Sequence, residues 1–204
     1  MAEPWRPVLL EMLEDARARG FLGPGLVAPH IDHALGFAEG VGEPPHRALD
    51  LGSGAGLPGL PLALQWPASR WTLLDASERR SAWLRRAVTG LGLADRVDVQ
   101  RDRAEVAGRD PAHRGSYDLV VARGFGRPAV TAECGAPFLR LGGVLIVSDP
   151  PGGDPDRWPG DGVARLGLVP IEGRRTGFRR LRAGEPCPAR FPRRVGIPAK
   201  RPLF

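Results

Sequence analysis

The stretch ALDLGSGAGLPG, residues 48–59, places Gly52, Gly54 and Gly56 at alternate positions directly after a short apolar run. A backbone without Cβ atoms can take the dihedral angles of a tight turn, and a ligand can approach its peptide groups closely. A helix beginning just beyond would turn its free N–H groups towards a polar part of that ligand. Nineteen positions after Gly56, at the end of WTLLD, comes Asp75. A carboxylate there can accept hydrogen bonds from both hydroxyls of a ribose. Together the glycine turn and the acid describe a grip on a nucleoside.

The spacing separates two ligand classes. Dinucleotide sites usually read G-x-G-x-x-G, whereas here the third glycine comes one position early and Leu57 takes the other place. G-x-G-x-G with a preceding acid, here Asp50, is the usual form where S-adenosylmethionine binds, and that is the cofactor expected. A purely structural turn in another α/β fold is the alternative.

Such groups need strands and helices in alternation to bring them together. Residues 5–18 place Trp5, Val8, Leu9, Met12, Leu13 and Ala16 on one helical face, and a second short helix follows over 27–37. Strands are expected at 47–51, 70–75, 96–100, 117–122 and 144–148, with helices at 59–64, 77–91 and about 128–139. Ser77 is the expected N-cap of the longest of these helices. GLVPIEGRR and TGFRRLRA are expected as two strands joined by a tight turn near Thr176 and Gly177. The fold class is therefore α/β, a Rossmann-like class I methyltransferase architecture. It has a mostly parallel twisted sheet, a C-terminal antiparallel hairpin and short N-terminal helices. The expected organisation is a helical segment at 1–40 and a cofactor-binding domain at 41–185. A basic, Pro- and Arg-rich strap at 186–204 belongs to the same domain.

With 204 residues, 42% hydrophobic and 25% charged, the composition is that of a globular protein, and no apolar run approaches a membrane span. The N-terminus lacks the basic-then-apolar order of a signal peptide. Cys134 and Cys187 have no metal-ligand spacing, so neither a metal site nor a disulfide framework is expected, and the cytoplasm is the expected location. The net charge of +6 is unevenly placed: from residue 173 onward ten basic residues face the single acid Glu185. Such a basic end is a common footprint of nucleic-acid contact, and a solvated arginine-rich tail is the plainer reading.

Five segments carry a resemblance to a known family. LDLGSGAGLPGLPLAL, WTLLDASERRSAWLRRAVTGLGL, RDRAE, YDLVVARGFG and FPRRVGIPAKRPL follow one another as in the small-subunit ribosomal RNA methyltransferase G family (RsmG, or GidB). The resemblance spans roughly residues 19–204, as a diverged member with a short N-terminal region. It implies methyl transfer from S-adenosylmethionine to N7 of a guanine in the 530 loop of 16S rRNA. The implied partner is that RNA or the small subunit, and a monomer is expected. Gly52 and Leu57 match the family's first cofactor loop, Ala104 and Glu105 its adenine end. Arg123, after the fourth strand, matches a further cofactor-binding position, beside the reacting centre, and is also the catalytic candidate. Arg193, Arg194, Lys200 and Arg201 become the residues expected to meet RNA phosphates.

Guanine N7 offers a lone pair and carries no proton, so no general base is needed, and Arg123 is given positioning instead of proton transfer. Two decoys are set aside. Asp149-Pro150-Pro151 resembles an amino-methyltransferase signature but follows the fifth strand, with no aromatic next. Cys134 lies in an apolar helix and reads as core. A small-molecule methyltransferase and a non-catalytic, ribosome-associated cofactor binder are the competing readings.

Overall fold

The computed structural model describes residues 3–150, 155–171 and 177–204. Two helices come first, α1 (Arg6–Ala18) and α2 (Ala28–Leu35). The alternating part runs β1 (Arg47–Leu51), α3 (Gly59–Gln65), β2 (Arg70–Leu74), α4 (Glu78–Gly90), β3 (Val97–Gln100), α5 (Ala104–Ala107), β4 (Tyr117–Ala122), α6 (Pro128–Gly135) and β5 (Leu139–Ser148). After these come α7 (Gly160–Ala164), β6 (Leu168–Pro170), β7 (Phe178–Ala183) and α8 (Ile197–Lys200).

The sheet order is β3-β2-β1-β4-β5-β7-β6. Strands β1 to β5 pair in parallel, and β7 runs antiparallel to both β5 and β6. This is the expected parallel sheet with an antiparallel finish. Of the residues foreseen at its tight turn, Thr176 lies outside the described residues. Strand order reverses between β1 and β4, whose carboxyl ends therefore open a crevice at the switch point.

Alternation along the strands sends side chains to two cores. Ala48, Leu119 and Val121 join Leu9, Leu13, Ile31, Leu60 and Trp83 beneath α1 to α4. Leu49, Leu51, Val120 and Ala122 join Phe138, Trp158, Leu181 and Phe191 on the opposite face. Ser77 caps α4 as expected, its hydroxyl accepting from Arg80 N at 3.4 Å.

Two expectations need correcting. Val8 is 46% exposed, because α1 turns only Leu9, Leu13 and Ala16 fully inward. The fifth strand begins at Leu139, not 144, and the helix before it ends at Gly135 in a 3-10 turn over Ala136–Phe138. Leu139 pairs with Tyr117, and a register shift before Leu119–Val144 accommodates the glycines of LGG within the strand.

Candidate active site at the switch point

The glycine turn is built from within. The buried carboxylate of Asp50 accepts from Ser53 Oγ at 2.7 Å and from Gly59 N at 2.9 Å, so one oxygen, Oδ2, joins the turn to the start of α3. Burial pushes the Asp50 carboxyl up to about 6. The N–H groups of Gly52 and Ser53 both donate to Leu74 O at 2.9 Å, tying the turn to the end of β2. Asp75 closes the arrangement: Oδ2 accepts from Gly54 N at 2.9 Å and Oδ1 from Ser77 N at 2.8 Å.

Gly52 and Gly54 have φ of 71° and 59°, and both border open space at the turn. On one side of Gly52 lies a cleft of about 230 Å³, bordered by Asp75, Asp102, Ala104, Glu105 and Phe125. On the other lies a cleft of about 340 Å³, bordered by Leu22, Gly54, Leu57, Arg80 and Arg123. A Cβ at Gly52 would sit 2.5 Å from the Phe125 ring, so only glycine leaves both clefts clear at their junction.

Most of the expected residues therefore meet here, in two groups. Asp75, Ala104 and Glu105 line the first cleft, Gly54, Leu57 and Arg123 the second, and Gly52 both. Gly56 does not join them. It is buried, and a Cβ there would lie 2.3 Å from Leu60 Cδ1, so its job is close packing of the turn on α3. Cys134 borders the first cleft from α6, but burial raises its thiol pKa and leaves it a poor nucleophile.

The residues present fit a nucleoside-bearing cofactor. Each oxygen of Asp75 accepts one hydrogen bond from the main chain, and a carboxylate oxygen has a second lone pair. That leaves acceptor capacity on both oxygens at the rim of the first cleft, and Arg80 Nη1 lies 3.6 Å from Oδ2. The positive-φ glycines supply a wall of bare backbone beside them. Among the described residues no group of three His, Cys, Asp or Glu side chains could hold a metal ion. No helix among them is long and apolar enough to cross a membrane.

The strap borders the same cleft, through Ala199. Arg114 fixes its beginning, donating to the carbonyls of Cys187, Pro188 and Phe191 at 2.7, 3.1 and 2.7 Å. Glu105 accepts from Gly196 N at 2.9 Å. Arg193 corrects an expectation: its guanidinium turns inward and pairs with Glu133, whose side chain is fully buried in α6. A guanidinium held so cannot also grip a phosphate with the same edge. Arg194, Lys200 and Arg201 are exposed.

Arg123 is half-buried at the end of β4, where desolvation lowers its pKa. Its Nη2 donates to Nδ1 of His30 at 2.6 Å. Three residues on, His33 Nε2 lies 3.2 Å from Ser148 Oγ at the end of β5. Neither histidine was among the expected site residues, although HIDHAL at 30–35 faintly resembles a family segment and sets the two three residues apart on a short helix. Burial, then the nearby Arg123 charge, lowers the pKa of each.

Comparison with known proteins bears on the family and the fold. Residues 24–148 match the sequence profile described as rRNA small subunit methyltransferase G. A ribosomal RNA small subunit methyltransferase G of Prochlorococcus marinus is 40% identical over 169 residues, covering 78% of this chain and 68% of that protein. Its counterpart in Roseiflexus castenholzii is 39% identical over 194 residues, covering 88% and 80%. Among solved structures, cofactor-bound Rv0187 from MTB superposes with a TM-score of 0.62 at 21% identity, over 88% of this chain and 90% of that one. A methyltransferase from Geobacter sulfurreducens gives 0.61 at 18%, over 86% and 88%. At these identities the superpositions speak for a shared class I methyltransferase fold. The family profile and relatives of this similarity speak for more: the chain belongs to the rRNA small subunit methyltransferase G family.

Proposed function

We propose that this protein transfers the methyl group of S-adenosylmethionine to N7 of a guanine in small-subunit ribosomal RNA. The observation that carries the reading is the pair of clefts meeting at Gly52, one bordered by Asp75 and Glu105, the other by Arg123. When bound, S-adenosylmethionine supplies an electrophilic methyl on a sulfonium.

The chain's residues have separate tasks. Asp75 accepts from the ribose hydroxyls with the lone pairs its backbone bonds leave over. Ala104 and Glu105 border the nucleoside side, and Glu105 at the same time anchors the strap through Gly196 N. Gly52 and Gly54 let the chain pass close beside the ligand, and Leu57 walls the second cleft. Guanine N7 has no proton to lose, so the enzyme's work there is alignment and exclusion of water. Arg123 serves alignment by donating to an acceptor of the target, guanine O6 or a phosphate. On a phosphate the guanidinium is paired with an anion, and the cation then does not oppose the positive charge arriving on the base.

Arg194, Lys200 and Arg201 complete the reading. They flank Ala199, which borders the first cleft, so phosphates gripped there hold RNA beside the site. The test is incubation with methyl-labelled S-adenosylmethionine and unmodified small subunits or their RNA, followed by mapping of the labelled base. Label at N7 of one guanine is expected. Label on a protein or a small molecule, with none on RNA, would remove the substrate assignment.

A further inference from the structure

We infer that His30 is a positioning residue for the transfer: as a neutral acceptor it fixes the guanidinium of Arg123 at the border of the second cleft. The inference rests on the function proposed above.

The geometry dictates the protonation. An arginine keeps its proton in a folded protein and can only donate, so His30 Nδ1, 2.6 Å from Arg123 Nη2, must be the acceptor. The imidazole is then neutral, with its hydrogen on Nε2. The lowered pKa of His30 is in keeping with that.

The identity of the partner matters as much as its charge. A carboxylate opposite Arg123 would take two N–H groups and quench the charge. An imidazole nitrogen takes one. Among the described residues Arg123 forms no ion pair, and its Nη1 is buried without a protein acceptor. Asp50 is near enough to favour the charge, but its Oδ2 is spent on Ser53 and Gly59 and its buried Oδ1 makes no hydrogen bond to the guanidinium. Arg123 is therefore held in place by a neutral partner, with no carboxylate closed on its guanidinium.

The helix carrying His30 is itself held in place. Its second histidine, His33, contacts Ser148 at the end of β5 while His30 reaches Arg123 at the end of β4, so α2 bridges the ends of two paired strands, of which β4 ends at the second cleft. Its outer side is tied to α1 by a hydrogen-bonded ion pair between Arg6 and Asp32. The orientation of Arg123 is thus set by an element outside the glycine turn and the strap.

The test compares the parent protein with His30→Ala and His30→Asn. Asparagine puts a carbonyl oxygen close to where Nδ1 lies. Expected for His30→Ala is a fall in kcat of about 10- to 100-fold, the scale of a misplaced aligning group. KM for S-adenosylmethionine should stay within about twofold and the melting temperature should be retained. His30→Asn should recover most of the loss. Nitrogen-15 NMR of the imidazole supplies a readout independent of turnover: Nδ1 bare and Nε2 protonated at neutral pH, with both signals shifted by Arg123→Met. Unchanged kcat in His30→Ala, an asparagine variant no better than alanine, or a proton on Nδ1 would each overturn the inference. Should the parent methylate no RNA, the proposed function fails, and the NMR result still decides whether His30 holds Arg123.

Discussion

The guanidinium of Arg193 closes on the fully buried carboxylate of Glu133, with Nε 2.8 Å from Oε1 and Nη2 2.6 Å from Oε2. The backbone N of Arg193 donates to Oε1 as well, at 2.9 Å, and Nη2 also donates to Arg201 O at 2.7 Å. Removing the arginine strands a charge in the core, which costs about 3–5 kcal/mol. Arg193→Ala should therefore lower the melting temperature and weaken cofactor binding, since the strap borders the first cleft. Thermal denaturation with calorimetric titration checks both. A variant as stable as the parent, defective only in RNA binding, would return Arg193 to the RNA surface.

The exposed cations of the strap should behave differently. Arg194→Ala, Lys200→Ala and Arg201→Ala together should leave the melting temperature and cofactor affinity unchanged while weakening RNA binding. For each phosphate no longer gripped, the slope of log K against log salt should fall by about 0.7 to 1. Binding isotherms over a salt series measure this, and an unchanged slope would place the RNA elsewhere.

Asp50 makes stability depend on pH in a stated direction. Its carboxyl titrates at about 6 in the folded chain, raised by burial from 3.8. Between those values the folded state holds a proton that the unfolded state has released. The stabilisation contributed by this one group is thus fully present below about pH 4 and is lost as pH rises through about 6, by about 3 kcal/mol in all. An asparagine accepts from Ser53 and Gly59 through its amide oxygen and does not ionise. Asp50→Asn should be the more stable protein near pH 7.5 and should lack the decline between pH 4 and 6. Chemical denaturation across that range checks it.

Two glycines of the turn should separate binding from stability. At Gly52 an added Cβ meets Phe125, a rim residue whose ring must give way into the first cleft. Gly52→Ala should lower cofactor affinity about tenfold or more, with a stability cost of about 1–2 kcal/mol from its positive φ. At Gly56 the Cβ meets buried Leu60 and Leu84, so Gly56→Ala should cost about 2–4 kcal/mol. Equal effects of the two on binding and on melting would contradict the division drawn here.

What could be read from the sequence was local. The β1–turn–α3 unit, the Ser77 cap and the acid ending β2 each depend on residues a few positions apart, and each stands where the pattern put it. The extension of β5 back to Leu139 was hidden because its partner, Tyr117, lies on another strand, and LGG alone resembles a turn. Charge counting could not tell Arg193 from Arg194. One side chain faces an acid sixty residues earlier in the chain and the other faces solvent. The usable clue was Glu133 itself, an acid within the apolar stretch TAECGAPFL. The His30–Arg123 contact spans 93 positions, beyond any periodicity, and emerges only when the sheet brings the ends of β4 and β5 under α2.

The proposed function rests on one S-adenosylmethionine lying across Gly52 with its ribose on Asp75. Calorimetric titration of the parent protein, Asp75→Ala and Gly52→Val is the decisive experiment. One molecule should bind per parent chain, with binding abolished or severely weakened in both variants while they remain folded by melting temperature. No heat of binding in the parent, or undiminished affinity in the folded variants, would refute that placement.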